Sequence, residues 1–220
     1  MGVNSVLNKT KTRWFVGLLV SVFLSGASWG QSLKPRNPQL VVSVYDDAAV
    51  PLNIVLRAEE RAARVFQVAR IDVIWRTPAA SGMTDSRQAR VQSDNLQLSV
   101  RIVPQSRNLV DDIFGMAFLD ENGRGRQADV FYSCIARLSN DSGYDPATVL
   151  AAVMVHEMGH LLLGSNSHSP MGIMRKRWDQ DQLRLAALCE LNFDAGQRLR
   201  IRQRLVNADG KWTLQATAGN

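Results

Sequence analysis

Apolar and polar positions alternate most plainly from Leu96 to Val103. There Leu96, Leu98, Val100 and Ile102 are separated by Gln97, Ser99 and Arg101, and Pro104 ends the run. A period of two is that of a strand with one face in the core. Leu40 to Tyr45 reads as an earlier strand. From Pro51 to Arg70 the spacing lengthens: Leu52, Val55, Ala62, Phe66 and Ala69 recur near a 3.6 period with charged residues between them, predicting a helix. Ile71, Val73 and Trp75 alternate as a second strand. The polar stretch from Thr77 to Asn95 predicts an excursion rather than an element. Gly115 to Asp120 suggests a short strand before the turn signal Asn122-Gly123, and Val130 to Leu138 a further strand through Tyr132, Cys134 and Ala136. Strand, helix, strand, strand, short strand, strand implies a mixed sheet with helices packed on it.

The clearest punctuation surrounds the next segment. Asp145 suits an N-cap and Pro146 the first helical position, where its missing N–H is not needed. The apolar run that follows predicts a helix over Pro146–Leu163, and Gly164 sits where a positive φ would stop it. A last helical region spans Asp179 to Leu205, with a break near Asn192. No repeat or low-complexity linker interrupts the chain, which suits one domain.

The N-terminus follows a different logic. Lys9, Lys11 and Arg13 precede the apolar run Trp14 to Leu24, and small residues Ser28 and Gly30 follow. This is the pattern of a secretory signal peptide over residues 1–30, cut after Gly30. The apolar run is shorter than the about 20 residues that span a bilayer, which leaves an uncleaved anchor as the second reading; no stable membrane insertion is expected once the leader is removed. The expected mature domain is 31–220, exported to a periplasmic or extracellular space. Its charge is the full chain's +6 less those three basic residues, or +3, which is weak ground for a nucleic-acid partner. The most basic segment left, Arg198 to Arg204, reads as a solvated helix surface. Cys134 and Cys189 permit one disulfide in such a compartment, or two small buried side chains. The oligomeric state is not legible.

All three histidines of the chain, His156, His160 and His168, fall within thirteen positions. On the predicted helix His156 and His160 are four apart and share a face, with Glu157 beside them. The other residues of that helix are largely apolar, so burying two imidazoles and a carboxylate without partners would cost several kcal/mol. A shared zinc ion removes that difficulty. Catalytic zinc takes three protein ligands and leaves a position for water, and His168 is the nearest third ligand if the chain turns back at Gly164. Glu157 would then be the general base for a water attacking a polarised carbonyl.

His156-Glu157-Met-Gly-His160, then Gly164, His168 and Gly172-Ile-Met174, resembles the zincin metallopeptidases, in particular the metzincins. The resemblance implies an α/β (α+β) fold: a mixed sheet with an active-site helix, a backing helix and a C-terminal helix. It implies zinc held by His156, His160 and His168, Glu157 as general base, and Met174, rather than Met171, as the methionine of a turn under the metal. It also implies a peptide or protein substrate laid as an added strand on a sheet edge, here Gly115 to Leu119. The sequence departs from the family's spacing by one extra residue before Gly164 and another before His168, and no tyrosine follows Met174. Another zincin pattern takes its third ligand from a glutamate with an aspartate four residues on; Glu190 and Asp194 fit it. The expectation is thus an exported zinc endopeptidase. The alternatives are an exported zinc-binding protein that hydrolyses nothing and a zinc hydrolase acting on a non-peptide amide.

Overall fold

A computed structural model describes residues 36–76, 96–105 and 113–217, with side chains as far as residue 208. The leader expected over 1–30 and the polar stretch 77–95 lie outside the described residues.

Five strands form one sheet in the order β2-β1-β3-β5-β4. They are β1 (Gln39–Asp46), β2 (Asp72–Arg76), β3 (Leu96–Val103), β4 (Gly115–Phe118) and β5 (Gln127–Phe131). β1 pairs in parallel with β2 and β3, β3 in parallel with β5, and only β4 runs antiparallel, against β5. The short strand is therefore an edge, four residues long, reached by the Asn122-Gly123 turn, where Gly123 adopts φ 68°. Asp120 closes that turn by accepting from the N–H groups of Asn122 and Arg124.

The helix α1 (Leu52–Val68) joins β1 to its parallel neighbour β2, the crossover that parallel strands require. It packs against α3 (Pro146–Leu163), in which every residue from Ala147 to Leu162 is buried. That helix is long and apolar enough to cross a membrane by length and composition, and here it is the core. Its start and stop follow the sequence signals. Asp145 accepts from the Ala147 N–H at 3.1 Å, and Gly164 takes the left-handed conformation at φ 66°. The C-terminal region breaks into α4 (Gln180–Ala187) and α5 (Ala195–Thr217). The expected α/β architecture, with a site-bearing helix, a backing helix and a C-terminal helix, is the one observed.

Two expectations change and one open choice closes. The strand expected over Val130–Leu138 stops at Phe131, and α2 (Tyr132–Ser142) follows it. Tyr132, Cys134 and Ala136 do alternate, but burial follows a helical spacing, with Cys134, Ile135 and Ser139 inside and Gly143 at φ 75° as its stop. The two cysteines form no disulfide; Cys134 is buried and Cys189 half-buried. Arg204 is not merely solvated: its guanidinium reaches from α5 to the Leu162 and Gly123 carbonyls, each at 3.4 Å. It thereby satisfies a carbonyl at the open end of α3.

Candidate metal centre and active-site cleft

Helical geometry sets His156 and His160 one turn apart on α3, both buried, at 8% and 4% exposure. Each ring is aimed by a backbone carbonyl of the segment that follows Gly164. The His156 Nδ1 lies 2.7 Å from the Ile173 oxygen, and the His160 Nδ1 lies 2.8 Å from the Ser165 oxygen. A carbonyl only accepts, so both Nδ1 atoms carry the proton and both Nε2 atoms present lone pairs. Those two Nε2 atoms are 3.0 Å apart. A proton between them would make one ring an imidazolium, which burial opposes. The His156 pKa is pushed down to about 4, chiefly by burial and further by the neighbouring histidines, against the pull of the Ile173 carbonyl. Burial lowers His160 as well.

The segment after Gly164 delivers the third ring. Ser165 N–H returns to the His160 carbonyl, the Ser169 N–H bonds the Met174 carbonyl at 2.9 Å, and Gly172 turns at φ 72°. The Ile173 N–H is held by the Asn192 carbonyl at 3.0 Å. This compact loop brings His168 to ring-centroid distances of 5.3 Å from His156 and 5.0 Å from His160. One ligand atom from each of the three histidines lies within 4.8 Å of the others, a set able to hold a metal ion. His168 remains exposed; burial, then the charges of His160 and Lys176, lower its pKa. Glu190 is exposed and lies outside this cluster among the described residues. The two extra residues in the spacing are absorbed by the loop, and the glutamate alternative loses its geometric support.

The donor set fits zinc. Two converging imidazole lone pairs with no proton between them call for a cation, and nitrogens at about 2.0–2.1 Å on a tetrahedral zinc sit roughly 3.3 Å apart. The carbonyl bonds to Nδ1 are the outer-shell contacts that orient ligating histidines.

Glu157, 6% exposed, points the other way, toward the edge strand. The Ala117 N–H donates to its carboxylate, partly offsetting the burial that raises its pKa to about 8. A Cβ on Gly115 would lie 2.6 Å from the Glu157 Cγ and 2.7 Å from its Oε1. Only glycine leaves room for the carboxylate there. Beneath the histidines, a Cβ on Gly159 would collide with the Met174 Sδ and approach Phe193, so this helical glycine admits the buried methionine.

A cavity of about 510 Å³ opens over these groups. β4 contributes Gly115, Met116 and Ala117 to its lining; Arg175 to Trp178 also line it, with Leu138 and Val153 among its apolar residues. The Trp178 ring stands edge-on to His156 at 5.6 Å. Sequence reasoning found the three histidines and Glu157, and the structure brings all four to one cavity. It named Gly115 to Leu119 only as a substrate edge and missed that Gly115 and the Ala117 N–H seat Glu157; it also missed Trp178, which carries no spacing signal. A glycine opening a short edge strand was the one available hint.

No family model matches the chain, and no curated protein matches it. Among solved structures it is similar to an archaemetzincin from Methanopyrus kandleri, at 17% identity and TM-score 0.46 over 79% of this chain and 99% of that one. It is also similar to a zinc-dependent peptidase from Methanocorpusculum labreanum, at 16% identity and TM-score 0.45, covering 73% of this chain and 99% of that one. Metalloproteinase-II from Bacteroides fragilis gives 12% identity and TM-score 0.44 over 78% of this chain and 55% of that one. The chemistry of this chain is read from its own residues.

Proposed function

We propose that this protein is a zinc-dependent endopeptidase, with His156, His160 and His168 holding the metal and Glu157 acting as general base. The observation that carries the proposal is the pair of Nε2 lone pairs fixed 3.0 Å apart, with His168 converging on them and a buried carboxylate in the same cavity. Zinc bound there supplies a Lewis acid for the scissile carbonyl and lowers the pKa of water toward about 7. The chain's own residues do the rest. A cation held by the three histidines would favour the ionised form of Glu157, whose pKa burial raises in the metal-free chain; the carboxylate then takes a proton from the attacking water and hands it to the leaving amine. The Ala117 N–H and the empty space at Gly115 hold that carboxylate in one position during the transfer.

β4 is the edge strand of the sheet and lines the cavity, which suits an extended peptide, because an added strand gains main-chain hydrogen bonds there. Met174 takes the place of a methionine turn under the metal, and the Gly159 slot supports that role. Residues 1–30 carry the pattern of an export signal, which would place the enzyme outside the cytoplasm. A metal-binding protein without turnover would have no use for a buried carboxylate in a tailored slot beside an open cavity.

Glu157→Gln tests the assignment. The variant is expected to keep its zinc and lose peptide cleavage by about 100-fold or more, measured on a diverse peptide library beside the parent protein. Zinc-loaded parent protein that cleaves no peptide would instead favour the binding-protein reading.

A further inference from the structure

Arg175, Lys176 and Arg177 follow Met174 directly and line the same cavity as the three histidines. This stretch is pinned at both ends. Arg175 bonds through its N–H to the Gly172 carbonyl at 3.2 Å and bridges Ser169. Its guanidinium is taken up by Asp179 at 3.2 Å and by Gln182 at 2.6 Å, the two residues whose capping box starts α4. At the other end Trp178 stands against His156. Lys176 and Arg177 sit between these anchors and are exposed. Among the described residues neither has a hydrogen bond or an ion pair, and Glu157 is the only carboxylate lining the cavity. Two cations on a short, fixed segment, beside a site that would open peptide bonds, form a place for an anionic group of the substrate.

We infer that Lys176 and Arg177 form a carboxylate-recognising rim, so that substrates with a carboxylate within a residue or two of the scissile bond are preferred. The inference rests on the peptidase reading and deepens it. The carboxylate has two possible sources, an Asp or Glu side chain within a peptide or the free C-terminus of a short one. Both cations are exposed, so the discrimination is modest: about three- to tenfold in kcat/KM between an acidic and a neutral residue. It weakens at high ionic strength, where exposed charges are screened.

The test uses zinc-loaded full-length protein and peptides that differ only in carrying Glu, Gln or Lys at each position flanking the cleaved bond. Each peptide is made with a free and with an amidated C-terminus. The expected order is Glu over Gln over Lys, compressed by salt and reversed in the Lys176→Glu/Arg177→Glu double variant. A preference that follows the free C-terminus, with cleavage confined to the last residues, assigns the rim to the terminal carboxylate. A preference that survives amidation assigns it to the side chain. Cleavage with no discrimination by charge or by terminus overturns the inference and leaves the peptidase reading standing. So does an unchanged order in the double variant. If no peptide is cleaved, the peptidase reading fails and the inference falls with it.

Discussion

Glu157 owes its position to residues some forty places earlier in the chain. The carboxylate lies in the space that a side chain at 115 would fill, and the Ala117 N–H holds it there. Gly115→Ala should therefore displace the carboxylate, the proposed base, without touching the histidines. Since a shift of about 1 Å in a catalytic group costs on the order of 100-fold, kcat should fall by about that factor while bound zinc stays at the parent level. Steady-state kinetics with metal analysis on the same sample checks it; an unchanged kcat would show that the carboxylate's position does not matter to turnover. Little of this was legible beforehand. The histidines and Glu157 announce themselves because their types and spacing match a metal site on one helix face. Gly115 carries no such sign, since what it must make room for is defined only once β4 lies beside α3.

At the scale of elements, α3 was readable to the residue because it is punctuated at both ends, by Asp145 and Pro146 at one and Gly164 at the other. α2 was not. Its N-cap is Phe131, with no side-chain cap, and its first residues alternate as a strand would. Both periods fit so short a run, and only packing against α3 decides between them. The loop from Ser165 to Met174 is the element on which the third ligand depends. It is closed on itself and on α3 by backbone bonds, and Ile173 ties it to the Asn192 carbonyl between α4 and α5. His168→Ala should then weaken zinc binding by more than the about 10–100-fold typical of losing an outer-shell partner. Glu190→Ala should leave it unchanged. Competition with a chelator of known affinity measures both, and the reverse order would transfer the ligand role to Glu190.

For the whole molecule, burying the site sets a pH dependence of stability in the metal-free protein. Glu157 titrates near 8 when folded and near 4.5 when unfolded, so the folded state holds its proton more tightly. Stability from that group is full below 4.5 and is lost as pH rises through 8. His156 acts in the opposite sense. Its folded pKa near 4 lies below 6.5, so stability is lost as pH falls through that window. Above pH 6.5 only the Glu157 effect remains of the two, about 2 kcal/mol between pH 6.5 and 8. Metal-free protein should show a melting temperature that declines over this interval, and Glu157→Gln should flatten the decline in a calorimetric pH series. A decline of equal size in the variant would place its origin elsewhere.

The packing that buries Glu157 makes the candidate metal site a joint product of the fold: α3 carries two of the histidines and the proposed base, its returning loop brings the third histidine, and the sheet edge seats the carboxylate. Stripping the protein of metal and titrating zinc back while following peptide cleavage tests that unity directly. Activity should be absent at the start, rise in proportion to added zinc and level off at one equivalent per chain. Cleavage that persists in the stripped protein, or that never appears after one zinc has bound, would contradict the account.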